Sequence, residues 1–426
     1  MKKFKFSYLT AAFYWLLIIF LTGLFFTNDF GLVDIHKTSI ITAVGVDNVN
    51  EEVEVTAEIA VPQPSQSGDA IKYTQVQGSG LTIADALNEI NAKTGFYPKL
   101  QFCRLILVGD SCKDKELFRM LGCFYRKNYS ELTALVAMCE GKASEMLSMK
   151  SPVADSTSEA IRKVLSDEIE KSANSSTANL KSIAVSEYSK SRSCYMPFVE
   201  ANAPGTSEDG GNGDSVGGEN PEQGGGSGES GSGSGGGESG SGGSGGESGQ
   251  SGSGGAPQEV EFSSRKTAIF VGGHFKGILD ERQSFALDLV RNDIRLAILP
   301  CDADGLHYTL GLKNIKTGLK LGVKDGEPEL TISVSATTQI QGVRVKVEPS
   351  KTITDDIVPD SVMDGAKKEL EDRFDGLLAV CRETDCDFFG LREMLYKRKP
   401  GEYEKFKDDL LQRMKINYDI KIQSVN

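Results

Sequence analysis

Three histidines, His36, His274 and His307, are the whole imidazole supply of this 426-residue chain. None stands in an HExxH or other metal-ligand spacing. His274 directly follows Gly272-Gly273, so a solvated turn residue is expected there. Eight cysteines, Cys103, Cys112, Cys123, Cys139, Cys194, Cys301, Cys381 and Cys386, contain no CxxC pair, and the five-residue step from Cys381 to Cys386 is not a zinc spacing. An even count permits disulfides in an exported chain. The loose spacing favours free thiols instead. Cys103, inside Phe102-Cys103-Arg104-Leu105-Ile106, reads as a small buried hydrophobe. Gly242-Gly243-Ser244-Gly245-Gly246 fits the GxSxG nucleophile elbow, but no strand or helix flanks it to strain the turn. Gly78-Ser79-Gly80-Leu81-Thr82 resembles a phosphate loop but lacks the lysine of GxxxxGK[ST], so it reads as a strand-to-helix turn capped by Thr82. Lys397-Arg398-Lys399, just before Pro400, suits a solvated helix end that complements the helix dipole. It would also suit anionic headgroups or a partner. No catalytic, cofactor-binding or metal-ligating residue is assigned, and no cofactor is expected.

The charge balance narrows the partners. The formal net charge is −13. Eight of those charges, Glu208, Asp209, Asp214, Glu219, Glu222, Glu229, Glu238 and Glu247, sit in residues 204–258 with no Lys or Arg. The rest is only mildly acidic and has no dense basic surface, so nucleic acid is excluded as a partner. A content of 39% hydrophobic and 25% charged residues suits water-soluble folded units on one anchor rather than a polytopic membrane protein.

That anchor is expected in residues 1–29. Residues 8–27 carry no charge and follow Lys2, Lys3 and Lys5. About 20 residues at 1.5 Å rise cross roughly 30 Å of hydrocarbon. Asp29 and Asp34 come next, and no cation appears before Lys37. The positive-inside rule then leaves the N-terminus cytoplasmic and the bulk of the chain outside. The run is long for a signal peptide and lacks a small-x-small cleavage site, so retention is expected. Leu21-Thr22-Gly23 is the lead-in of a lipobox, but Leu24 stands where the lipid-bearing cysteine must be. No thioether can form at Leu24, and the helix itself has to supply the attachment.

Residues 30–203 predict a mixed α/β region. A strand over 39–46 ends in Gly45-Val46-Asp47, and Val53, Val55, Ala57 and Ile59 alternate with polar residues in a second strand. Thr82 with Asp85 three residues on marks a helix start, and Ile83, Ala86, Leu87 and Ile90 share one face of that helix. Residues 102–108 read as a central strand, 115–124 as a helix, 132–138 as a strand, and 142–147 as the start of another helix. Residues 204–258 are almost entirely Gly, Ser and Glu, a composition that cannot offset its own ordering entropy. A coil of that size would span roughly 40 Å and let the two halves move apart. Residues 259–426 predict an α+β domain with an antiparallel sheet. Its elements are a hairpin at 266–279, a helix at 281–291, strands near 306–312, 330–336 and 340–347, helices over 361–381, 388–396 and 403–413, and a final strand from Met414.

The order of these segments resembles the Ger(x)C family, the C subunits of spore germinant receptors. Gly45-Val46-Asp47 matches its opening Gly-Ile-Asp. Gly78, Gly80, Thr82, Ala86 and Leu87 match a G-x-G-x-T-x-x-x-A-L segment. Arg104-Leu105-Ile106-Leu107-Val108-Gly109 matches a strand ending in Gly, and Ala143 with Leu147 matches Ala-x-x-x-L. Lys276-Gly277-Ile278-Leu279 and Cys386-Asp387-Phe388-Phe389-Gly390 resemble later elements, and Met196-Pro197-Phe198-Val199 resembles a Leu-Pro strand. Leu24 and the long insert depart from the family pattern. The resemblance implies a non-enzymatic, extracytoplasmic subunit at the inner spore membrane, beside membrane-spanning A- and B-type partners. A membrane-anchored solute-binding protein is the alternative reading, distinguished by a deep cleft with convergent polar groups.

Overall fold

The computed structural model describes residues 2–25, 38–63, 70–126, 130–165, 177–203, 259–291, 294, 296–344 and 358–425. Helix α1 (Lys2–Phe25) opens the chain, and its side chains over residues 11–23 are all exposed. Leu24 lies outside the residues whose side chains are described, as do His36 and the 242–246 match. Among the described residues no helix is long and apolar enough to cross a membrane. The described side chains of α1 form a stretch shorter than the ~20 residues a span needs.

Gly45 and the alternating Val55, Ala57 and Ile59 start a nine-stranded sheet. Its first members are β1 (Thr38–Val49), β2 (Glu52–Gln63) and β3 (Ala70–Gly80), paired antiparallel as a meander. Helix α2 (Ile83–Thr94) carries the expected reciprocal capping box between Thr82 and Asp85 and ends at left-handed Gly95. Next come β4 (Tyr97–Lys99), β5 (Leu105–Gly109), α3 (Leu117–Arg126), β6 (Leu135–Cys139), α4 (Ala143–Ser148), α5 (Thr157–Leu165), α6 (Leu180–Tyr188) and β7 (Ser193–Asn202). β1, β5, β6 and β7 run parallel at the centre, and β4 pairs with the start of β1. β5 is buried at every position because both sheet faces are covered. On one face α2, α3 and α6 pack Ile83, Phe118, Phe124 and Ile183. On the other α4 and α5 pack Met146, Leu147 and Ile161.

Beyond the insert, β8 (Glu261–Val271) and β9 (His274–Leu279) complete this same sheet. Their hairpin turns at Gly272-Gly273 with φ of 60° and 83°, the positive pair that a two-residue hairpin requires. β7 and β8 are hydrogen-bonded neighbours, with Asn202 opposite Glu261. The expectation that the insert lets two halves move apart is therefore corrected. Its two ends are pinned side by side in one sheet.

The second sheet follows α7 (Glu281–Arg291). Its strands are β10 (Leu296–Ala303), β11 (Leu306–Lys324), β12 (Glu327–Arg344) and, after α8 (Asp360–Thr384), α9 (Leu391–Arg398), α10 (Pro400–Phe406) and α11 (Leu410–Arg413), the last strand β13 (Lys415–Ser424). β11 and β12 form one long hairpin turning at Asp325-Gly326, rather than the shorter separate strands expected from the sequence. The β10–β11 and β11–β12 pairs are antiparallel, as an antiparallel-rich sheet requires, and β13 alone runs parallel to its neighbour β12. The crossover α8–α11 makes a parallel return possible. Leu370, Phe374, Leu377 and Cys381 of α8 form the core with this sheet, joined by Ile269 and Leu279 from the first.

Candidate functional site

Three motifs singled out in the sequence meet at one atom group. The Asp47 carboxylate is 1% exposed and accepts the Ala143 and Ser144 backbone N–H groups, each at 2.9 Å. It thereby satisfies orphan donors at the start of α4 and sits at the positive end of the helix dipole. Gly45 and Gly109 are the space this needs. A Cβ on Gly109 would stand 2.0 Å from Asp47 Oδ1, and one on Gly45 would stand 3.1 Å from the Ala143 Cβ. The Gly-Val-Asp, the strand-terminal Gly and the Ala-x-x-x-L are thus one packing device.

The same device recurs twice. Asp387, 2% exposed, accepts Leu391 N and Arg392 N at 2.8 Å each and starts α9. Gly390, at φ 67°, makes the turn, which is why the helix expected from 388 begins only at Leu391. Burial pushes the Asp387 pKa up, against the pull of those two N–H donors. The third carboxylate, Glu58, is 2% exposed and accepts the Thr42 hydroxyl at 2.8 Å and the Ser158 hydroxyl at 2.5 Å, by the first turn of α5. The alternation of β2 places Glu58 opposite the apolar face, where a solvated residue is expected. Nothing in its neighbourhood in the sequence announces that α4 and α5 cover that second face.

The phosphate-loop lookalike is also architecture. A Cβ on Gly78 would lie 2.3 Å from the Ala86 carbonyl, and one on Gly80 would lie 2.5 Å from the Asp85 Cβ. The two glycines let α2 lie directly on β3, and Thr82 caps it. His274 is exposed at the start of β9. His307 Nδ1 stands 2.8 Å from Asp302 Oδ1 across the exposed β10–β11 hairpin. Among the described residues no His, Cys, Asp and Glu group could hold a metal ion. All eight cysteines are free. Burial pushes the Cys103, Cys112 and Cys123 thiols up to about 12 and Cys301 to about 11, so they are protonated at neutral pH. Lys397 reaches Glu393 at 3.2 Å near the end of α9, as a dipole-complementing helix end would.

One cleft has the position of a ligand site. A groove of about 700 Å³ opens at the carboxyl ends of β1 and β5, between the first turn of α2 and α3. In α/β sheets this is where small molecules bind. Val53, Ile83 and Met120 give it an apolar floor, and Glu51, Lys115, Glu116 and Arg119 bring both signs of charge to its rim. Among the described residues Lys115 and Arg119 have no ion-pair partner. No local pattern announces this groove, because its walls come from four separate elements.

Two family models cover the chain in order. One, described as the spore germination protein N-terminal domain, matches residues 32–201, and the other, spore germination B3/GerAC like, C-terminal, matches residues 265–425. The chain belongs to the Ger(x)C family. Several of the motif residues that resemble this family, among them Asp47, Gly78, Gly80, Thr82, Gly109 and Asp387, clamp α4, α2 and α9, so in this Ger(x)C protein they maintain a fold. The insert falls between the two matched regions. The crystal structure of the GerBC protein is similar in fold, with a TM-score of 0.51 at 14% identity over 92% of this chain and 100% of that one. Comparison with curated protein sequences finds no match.

Proposed function

We propose that this Ger(x)C protein is the C-type subunit of a spore germinant receptor. It is tethered by residues 8–27 on the extracytoplasmic side of the inner spore membrane and works through contact with A- and B-type subunits. The observation that carries this reading is the pair of family matches, in order, over both sheet regions. The side chains with the greatest chemical potential agree with it. The three buried carboxylates accept hydrogen bonds at helix starts, and burial keeps the thiols protonated. With Leu24 in place of the lipobox cysteine, attachment rests on the apolar helix alone. Deleting the gene in a strain with no second copy should abolish nutrient-triggered germination while leaving sporulation intact. Normal germination in that strain would overturn the proposal.

The groove beside Arg119 favours a second reading, a tethered solute-binding protein. Thermal stabilisation of the purified chain by amino acids or sugars would support it. No shift with either class, at concentrations far above a useful affinity, would count against it.

A further inference from the structure

Five of the exposed apolar side chains of the first sheet region gather at one end. Phe96, Tyr97 and Phe102 are 45%, 41% and 51% exposed, and Ile40 and Leu132 are 37% and 45% exposed. Strand register puts them at one level. Thr38 is opposite Tyr97 and Ile40 is opposite Lys99 in the parallel β1–β4 pair, and Phe102 ends the turn that follows β4. Arg104 N donates to Thr42 O, and Leu135, just beyond Leu132, donates to Arg104 O. All five therefore flank the amino ends of β1, β5 and β6. Leu81 and Asp47 mark the opposite end, since Gly80 pairs with Val53 and Val53 with Asn48. Ile40 and Asp47 are seven residue steps apart along β1, about 23 Å at 3.3 Å per residue.

The amino end of β1 is also where the chain arrives from α1. Only residues 26–37 lie between Phe25 and Thr38. Fully extended they reach at most about 45 Å, and any compaction draws this end closer to the anchor. Aromatic side chains on turns, flanked by cations, are the composition of a membrane–water boundary. Lys99 and Arg104 supply the cations among the described residues, and Glu131 beside Leu132 is an acid. Chain folding leaves these aromatics exposed while Phe118 and Phe124 of the same region are wholly buried. Insertion into lipid returns to them the apolar burial that water denies.

We propose that the end bearing Phe96, Tyr97 and Phe102 docks on the surface of a phospholipid bilayer, with the aromatic rings at headgroup level and Lys99 and Arg104 on anionic headgroups. This rests on the tethered reading above. It adds an orientation: the β1 amino end faces the membrane, and the groove beside Arg119 and Leu81 faces away from it.

The test uses the full chain reconstituted in phosphatidylcholine–phosphatidylglycerol vesicles. The single tryptophan, Trp15, lies in α1, so Trp15→Phe leaves a silent background. Phe102→Trp, Tyr97→Trp and, as the far-end control, Leu81→Trp each place one reporter on an exposed position. The expected result is a blue-shifted emission at 97 and 102, quenched several-fold more by lipids brominated in the acyl chain than the reporter at 81. Reporters at 97 and 102 that are open to acrylamide and untouched by brominated lipid, in protein that floats with the vesicles, overturn the docking and leave this end to a protein partner. Protein that fails to float overturns the tether, and the docking with it.

Discussion

The Asp47 clamp gives a quantitative test of the claim that the motif residues hold helices. Asp47→Ala removes an acceptor of two backbone N–H bonds at 2.9 Å in a site 1% exposed. Hydrogen bonds to a charged group contribute about 1.5–3 kcal/mol each, and the buried Ala143 and Ser144 donors are left unpaired. The expected loss is about 3–5 kcal/mol. Gly109→Ala attacks the same point from the other side. Its backbone sits at an ordinary φ of −72°, so the glycine is there for space and not for conformation. The new methyl would stand 2.0 Å from Asp47 Oδ1 and 3.0 Å from Ala143 N. The carboxylate must swing away, at a cost of about 1–3 kcal/mol. With Asp47→Ala already made, the obstructing oxygen is gone and Gly109→Ala should cost far less. The double mutant should therefore fall short of the sum by more than about 1 kcal/mol. Urea unfolding of the full chain in detergent, followed by far-ultraviolet circular dichroism, reads all four corners of the cycle. Hydrogen exchange at Ala143 and Ser144 shows whether α4 is the part released. Additivity within about 0.5 kcal/mol, or a loss below about 1 kcal/mol for Asp47→Ala, would refute the reasoning.

Other outcomes follow from the same structure. Gly78→Ala, whose methyl would meet the Ala86 carbonyl at 2.3 Å, should lift α2 off β3 and lower stability by about 1–3 kcal/mol, seen as a fall in Tm. The folded Asp387 pKa lies above its ordinary 3.8, so folded protein holds a proton that unfolded protein has released between those values. This site's contribution to stability must therefore fall as pH rises through that window. Unfolding of Asp387→Asn and wild type across the range from about pH 4 to neutrality should show the slope only in the wild type. Replacing residues 204–258 with a short glycine loop joins the neighbouring ends of β7 and β8. Stability should hold or rise by about 2 kcal/mol from the smaller loop-closure entropy, and loss of the fold would contradict the pairing of Asn202 with Glu261. Thiol titration at neutral pH should find the native cysteines slow to react and all eight reactive once the chain is unfolded.

The sequence fell short where distant segments cover one another. The insert looked like a flexible divider because its composition alone was informative. Its position inside the β7–β8 pair depends on contacts made by strands on either side. β11 and β12 read as shorter strands because the local alternation lapses, at Gly318 and Gly322 in β11, whereas the pairing of the two strands resumes beyond register shifts at Thr309/Leu310 and Lys313/Lys316.

Local physics determined much from the order of residues alone. An uncharged run after three lysines, the Thr82–Asp85 cap, the Gly272-Gly273 turn and the apolar β5 each depend on residues close along the chain. Tertiary structure alone decided what those pieces serve. It brought Asp47, Gly109 and Ala143 to one point, buried Glu58 on a face that alternation left open, returned β13 parallel to β12, and set the aromatic rings at the end opposite the groove. Each of these depends on contacts between residues scores of positions apart, and a local pattern carries no record of its distant partner.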